Sequence, residues 1–183
     1  AKQPDVVIWK YLKALVIACQ ARGPEAVSLL EECSRLDGFE EGFGLPDDVN
    51  TLARASALNH LQFETTVDPT LTEPWENLAR VAEILNSPDF IDRSVLGRWK
   101  ANPEDYDVYK KFEAHFQEKD LDETIGLIEE VLEEAPDGCL PRAVLGAKMQ
   151  EKGKTALAIR HLKKAHDSDP KAWIPHLYLG RVF

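Results

Sequence analysis

Apolar positions recur along most of this chain with the three-to-four-residue spacing of amphipathic helices, and no stretch alternates strictly as a half-buried strand would. Val6–Arg22 follows the helix-start signal Pro4-Asp5 and stops at Gly23; Trp9, Leu12, Leu15, Val16 and Cys19 share a broad stripe, with Lys10 and Lys13 set on the other side. Gly23-Pro24 ends that helix and pre-sets the next, which carries Ala26, Leu30 and Cys33 toward Leu36-Asp37-Gly38. The pair predicts a first antiparallel hairpin. Gly38–Pro46 then reads as a loop pinned by its own apolar residues. From Asp47 a long helix runs to about Thr66, with Val49, Leu52, Ala53, Leu58, Leu61 and Phe63 as its apolar set.

After Pro69 the pattern becomes regular. Trp75, Leu78 and Ala82 mark one helix, ending near Asn86; Ile91 and Val95 mark the next. Tyr109, Phe112 and Phe116 precede a break at Lys119-Asp120, and Thr124, Ile128 and Val131 follow. Leu145, Gly146 and Met149 lead to Gly153; Ala158, Leu162 and Ala165 lead to Asp169-Pro170; Trp173–Phe183 starts a further helix. The prolines that close the second helices are Pro69, Pro103, Pro136 and Pro170, at steps of 34, 33 and 34 residues. Such a period is the mark of a helical repeat array.

These residues resemble the tetratricopeptide repeat (TPR). Its signature places an aromatic, then Leu with Gly or Ala, in the first helix, small residues in the second and a closing proline. Leu145, Gly146, Gly153, Ala158, Leu162, Ala165 and Pro170 carry it most fully. Trp75, Leu78, Ala79, Asn86, Val95 and Pro103 carry it with Ile91 and Arg98 in the small-residue places. Tyr109, Phe112, Phe116, Ile128 and Pro136 carry it after a one-residue deletion; Leu179, Gly180 and Phe183 begin another unit. The resemblance implies an all-α fold, a right-handed α-α superhelix (a TPR-like solenoid) of about five helical hairpins, the last incomplete. It forms one domain over 1–183, divided into 6–38, an irregular 39–71, 72–105, 106–138, 139–172 and the single helix 173–183.

In this family ligands lie in a concave groove lined by the first helix of each hairpin. Carried onto this chain, the groove positions are Glu76, Asn77, Arg80, Lys110, Lys111, Gln117, Leu140, Val144, Ala147, Leu177, Tyr178 and Arg181, with Ala143, Gln150 and Ile174 beside them. The positions that grip the C-terminal carboxylate of chaperones hold Glu76, Arg80, Lys111, Leu140 and Val144, so that clamp is absent. What remains is a groove polar at Glu76–Lys111 and apolar from Leu140 to Tyr178, suited to a peptide or helical segment of a partner. The expected function is a non-catalytic protein–protein interaction scaffold. The alternatives are a homo-oligomeric assembly module using the apolar helix 173–183, or the regulatory or adaptor part of a longer protein.

Composition narrows this further. The formal net charge of −10 argues against nucleic acid, whose phosphates need a basic surface. Cys19, Cys33 and Cys139 are odd in number and have no paired spacing, so they read as small buried hydrophobes rather than a disulfide framework or zinc site. His161 and His166 stand five apart, off the spacing that would put two metal ligands on one helix face. No nucleophile, Walker, zincin or dinucleotide motif is present, and neither an enzyme nor a cofactor is expected. Glu118–Asp137 carries nine carboxylates against one lysine, and Arg142–Lys171 eight basic residues against three acidic ones, which predicts attraction between neighbouring hairpins. No apolar run reaches the length of a membrane span, and no signal or lipidation motif is visible. The expectation is a soluble protein, cytoplasmic, or periplasmic or organellar if a leader has been removed.

Overall fold

The computed structural model describes residues 4–20 and 22–182, and all regular structure among them is helical. Ten α-helices follow in order: α1 (Pro4–Ala18), α2 (Gly23–Cys33), α3 (Asp47–Val67), α4 (Thr72–Ile84), α5 (Pro88–Ala101), α6 (Tyr106–His115), α7 (Leu121–Glu134), α8 (Cys139–Glu151), α9 (Thr155–Ser168) and α10 (Trp173–Val182). The chain forms two compact units, Ala1–Gly97 and Arg98–Phe183, dividing in the last turn of α5.

The helix ends follow from local chemistry. The carboxylate of Asp105 accepts the N–H groups of Asp107 and Val108, and that of Asp120 accepts the N–H of Asp122, so both cap orphan donors at the starts of α6 and α7. At the turn after α4 Asn86 takes φ 50, and at the turn after α8 Gly153 takes φ 76. In each, the next residue donates back into the helix, Ser87 to Ala82 and Lys154 to Met149, closing the last turn. The Asp-Pro steps are Asx turns: Asp68 Oδ1 accepts the N–H of Thr70, and Asp169 Oδ1 that of Lys171.

In the first unit α1 packs on α2 and α3, and α4 on α2 and α3. The core holds Tyr11, Ala14, Leu15 and Ala18 of α1, Ala26, Leu30 and Cys33 of α2, Leu58 and Leu61 of α3, and Leu78 and Ala82 of α4. The break between α2 and α3 is pinned as its apolar residues predict: Tyr11, Phe39 and Phe43 meet edge to face, with centroids 5.5–6.1 Å apart. Tyr11 also donates to Asn50 Oδ1 at 2.7 Å and accepts from Arg54 Nε at 2.6 Å. Arg54 donates further to the carbonyl of Phe39 at 2.8 Å, so one buried hydroxyl ties α1, α3 and the loop together.

That network corrects the predicted faces of two helices. Trp9 and Val16 of α1 are exposed, as are Val49, Leu52 and Phe63 of α3. The α1 sequence is apolar almost all round, so its periodicity does not select an inner side. The Tyr11 hydroxyl does, by seeking Asn50 and Arg54, and it turns the Trp9–Lys13–Val16 side out.

In the second unit α8 packs on α7, α9 and α10, and α9 on α10. Gly146 is where α8 and α9 come closest: a Cβ there would lie 2.7 Å from Leu162 Cγ and 3.2 Å from the carbonyl of Ala158. Ala158, Leu162 and Ala165 are all fully buried. Small residues that let two helices close on each other, left-handed turn residues and an X-Pro step between pairs are the features that the tetratricopeptide resemblance implies. In α5, however, the small contact residue is Gly97, packed on the Trp75 ring, with Ser94 fully buried beside it; Ile91 stays half-buried. Lys152, just past the end of α8, is ion-paired with Asp122 of α7, one instance of the attraction predicted between oppositely charged hairpins.

Candidate functional site

The second unit is built on aromatic rings. Trp99 is fully buried, 4.5 Å from Phe112 and 5.4 Å from Tyr109 between ring centroids, with its Nε1–H donating to the carbonyl of Pro103 at 3.0 Å. Phe116 continues the series 4.8 Å from Phe112. Tyr109, Phe112 and Phe116 stand three and four residues apart, so all lie on one face of α6 and its C-terminal turn. The carboxylate of Glu104 accepts from the N–H groups of Cys139, at 2.6 Å, and Leu140, at 3.0 Å, which caps α8 and fixes where it starts.

A cavity of about 360 Å³ opens between α6, α7 and α8. Phe112, Phe116, Ile128 and Val144 supply its apolar wall, while Glu113, Lys119, Lys148 and Glu151 carry charge at its mouth. A smaller cavity of about 130 Å³ lies between α8 and α10, lined by Ala147, Gln150, Tyr178, Arg181 and Val182, and shares Glu151 with the first. Gln150 Oε1 is buried with no hydrogen-bond donor. Arg181 lies over the Tyr178 ring, its Cζ 5.6 Å from the centroid.

Electrostatics at the mouth are specific. Tyr109 donates to Glu113 Oε1 at 2.8 Å, and Lys110 to Glu113 Oε2 at 2.6 Å. Burial pushes the Glu113 carboxyl up, but the Lys110 and Tyr109 hydrogen bonds and the Lys148 charge outweigh it and hold it below the usual value. Burial and the Glu113 contact push the Tyr109 phenol far above its ordinary range, so it acts here as a hydrogen-bond donor. Among the described residues no group of three or more His, Cys, Asp or Glu side chains is placed to hold a metal. All three cysteines are free; Cys33 and Cys139 are buried and Cys19 half-buried.

The groove residues expected from sequence divide into sets. Gln117 and Val144 line the larger cavity, and Ala147, Tyr178 and Arg181 the smaller. Lys110 and Lys111 are exposed, and Leu177 is 41% exposed. Glu76, Asn77 and Arg80 belong to the first unit: Arg80 is ion-paired with Glu31 of α2, and the Asn77 amide lies against Gly23, so the Asn77 and Arg80 side chains face α2.

The expected open apolar surface at the start of α8 is not there. Leu140 is 3% and Val144 1% exposed. The physical reason is that α7, α9 and α10 all pack on α8. Beside α8, Tyr106 of α6 and Trp173 of α10 meet at 5.6 Å between centroids. Tyr106 and Phe112 lay outside the expected groove set; the aromatic run of α6 was their signal, and it reads equally as core.

No family model matches the chain, and no curated protein does. Among solved structures, the chain is similar to "Crystal structure of YrrB: a TPR protein with an unusual peptide-binding site", at 18% identity and a TM-score of 0.40, covering 93% of this chain and 90% of that one. It is also similar to "Crystal structure of MamA", at 15% identity and a TM-score of 0.38, covering 83% and 91%. Among the described residues no helix is long and apolar enough to cross a membrane.

Proposed function

We propose that the chain is a non-catalytic scaffold whose second unit holds a short segment of a partner polypeptide against α8. The observation that carries this reading is the 360 Å³ cavity walled by Phe112, Phe116, Ile128 and Val144, which is within the size range of pre-formed ligand sites. An aromatic or long aliphatic side chain of the partner fills it. A smaller apolar side chain enters the second cavity, and the segment passes over Glu151, common to both. Gln150 Oε1 supplies an acceptor for a backbone N–H of the bound segment, which would otherwise be a buried oxygen without a donor.

Selection of peptides from an unbiased displayed library on the whole chain tests the reading. The expected consensus has one large and one small apolar side chain, and the selected peptides bind in titration calorimetry. Gln117→Trp overhangs the larger cavity and Ala147→Trp fills the smaller one, and each is expected to weaken binding by about 10-fold or more while helicity is retained. Selected peptides indifferent to both substitutions, or a library that returns no binder, would refute it.

A further inference from the structure

The first unit carries a second surface, on helices whose faces the core does not use. The helices α1 and α3 run side by side in the same direction: Tyr11 meets Asn50 and Arg54, and further along Cys19 Sγ lies 3.7 Å from Ser56 Oγ. Flanking that contact, Trp9 and Val16 on α1 and Val49, Leu52, Phe63 and Val67 on α3 are exposed, Trp9 by 71%, Leu52 by 72%, Phe63 by 68% and Val67 by 75%. Their exposed areas sum to on the order of 600–700 Å², given the size of such side chains. Each side of a standard interface contributes about 800 Å².

The spacing on α3 says what covers it. Residues 49, 52, 63 and 67 fall on one side of a 21-residue helix, and they are disposed symmetrically about residue 58: 49 mirrors 67, and 52 mirrors 63 to within one position. Between them the same side carries the exposed polar residues Asn59 and His60. A helix with this pattern is complementary to itself when turned end for end. We propose that this face pairs with a second copy of the chain about a two-fold axis near residue 58 of α3. The two α3 helices run antiparallel, Val49 meets the other copy's Val67, Leu52 meets its Phe63, and Trp9 and Val16 extend the apolar area from α1. Such an isologous contact closes as a dimer.

Charge sets its salt dependence. Asp47, Asp48 and Asp68 are exposed at the two ends of α3, and antiparallel pairing brings like-charged ends together at the rim. The dimer therefore tightens as salt rises, because screening removes the repulsion between these acidic ends while the apolar contacts are unaffected.

The test is sedimentation equilibrium on the intact chain from low to high micromolar concentration, with disulfide trapping. The expected result is a monomer–dimer equilibrium, weakened about 100-fold or more by L52E/F63E with helicity kept. Oxidation is expected to cross-link a mixture of V49C and V67C chains above the background of the native cysteines, and neither variant alone. The 49 and 67 positions of one helix are about 27 Å apart, so only antiparallel pairing joins them. One chain's mass at every concentration, a dimer indifferent to L52E/F63E, self-linking of V49C, or dissociation by salt would each overturn the proposal. The substitutions lie outside the cavities of the second unit, so peptide capture and pairing succeed or fail separately.

Discussion

The indole Nε1–H of Trp75 donates to the carbonyl of Pro69, six residues earlier, at 3.3 Å. The same relation returns along the chain. His176 Nε2 lies 3.2 Å from the carbonyl of Pro170, where its Nε2–H tautomer donates, and Arg142 donates to the carbonyl of Pro136. At Pro103 the donor is instead Trp99, from the helix before. A proline that ends one helix leaves its carbonyl outside any helical ladder, and a side chain from the next or previous helix takes it up. The period of the prolines is thus also a period of hydrogen bonds between successive helices.

Trp75 has a second duty, and the two can be separated. Its ring lies against Gly97, where a Cβ would come to 2.3 Å from Cε3. Trp75→Phe keeps most of that packing and removes the N–H, so it is expected to cost about 1 kcal/mol. Gly97→Ala forces the two helices apart and is expected to cost about 1–3 kcal/mol despite the better helix propensity of alanine. Urea unfolding followed by circular dichroism measures both. A Gly97→Ala chain as stable as the native one, or more so, would mean that the close approach does not fix α5.

Two glycines in the second unit give opposite expectations from the same substitution. Gly146→Ala places a methyl 2.7 Å from Leu162 Cγ and 3.2 Å from a backbone oxygen, and only the leucine can give way. It is expected to destabilise by about 1–3 kcal/mol. Gly126, inside α7, has nothing within 4 Å of its Cβ position, so Gly126→Ala is expected to stabilise by about 0.5–1 kcal/mol. Thermal unfolding of the pair reads both signs, and a stabilising Gly146→Ala would remove the close α8–α9 contact from the account of the fold.

What sequence made legible here was punctuation and pairing. The prolines, Asn86, Gly153 and the small residues Gly146, Ala158 and Ala165 act through the backbone or through close approach, and few other residue types satisfy those places. Faces were less legible. The α1 helix is apolar all round, and α3 places Val49, Leu52 and Phe63 outside while burying Asn50 and Thr65, because the Tyr11–Asn50–Arg54 network decides which side turns in. The contact residue of α5 is Gly97 rather than the Ile91 and Arg98 places, since Phe90, Ile91, Val95 and Trp99 allow more than one register. Of the expected groove, Ala147, Tyr178, Arg181 and Gln117 do border cavities, but the burial of Leu140 and Val144 depends on how closely α7, α9 and α10 approach α8. Such an approach depends on packing angles, which no local pattern encodes.

Glu113 makes the cavity mouth sensitive to acid, with a sign that follows from its surroundings. Its pKa in the folded chain lies below the usual value of 4.5, because the hydrogen bonds from Lys110 and Tyr109 outweigh the effect of burial. A depressed carboxylate adds stability that is fully present above the unfolded value and is lost as pH falls through the folded one. Glu113→Gln keeps an acceptor for Tyr109 but loses the charge, so it is expected to be less stable than the native chain at neutral pH. The gap should hold steady down to about pH 5, narrow below it, and close once the native carboxyl is protonated. Urea midpoints of the two proteins between about pH 7 and pH 3 trace this directly. A gap that persists unchanged at the acid end would show that the amide is tolerated poorly for its shape, and that the Lys110–Glu113–Tyr109 cluster contributes nothing through charge.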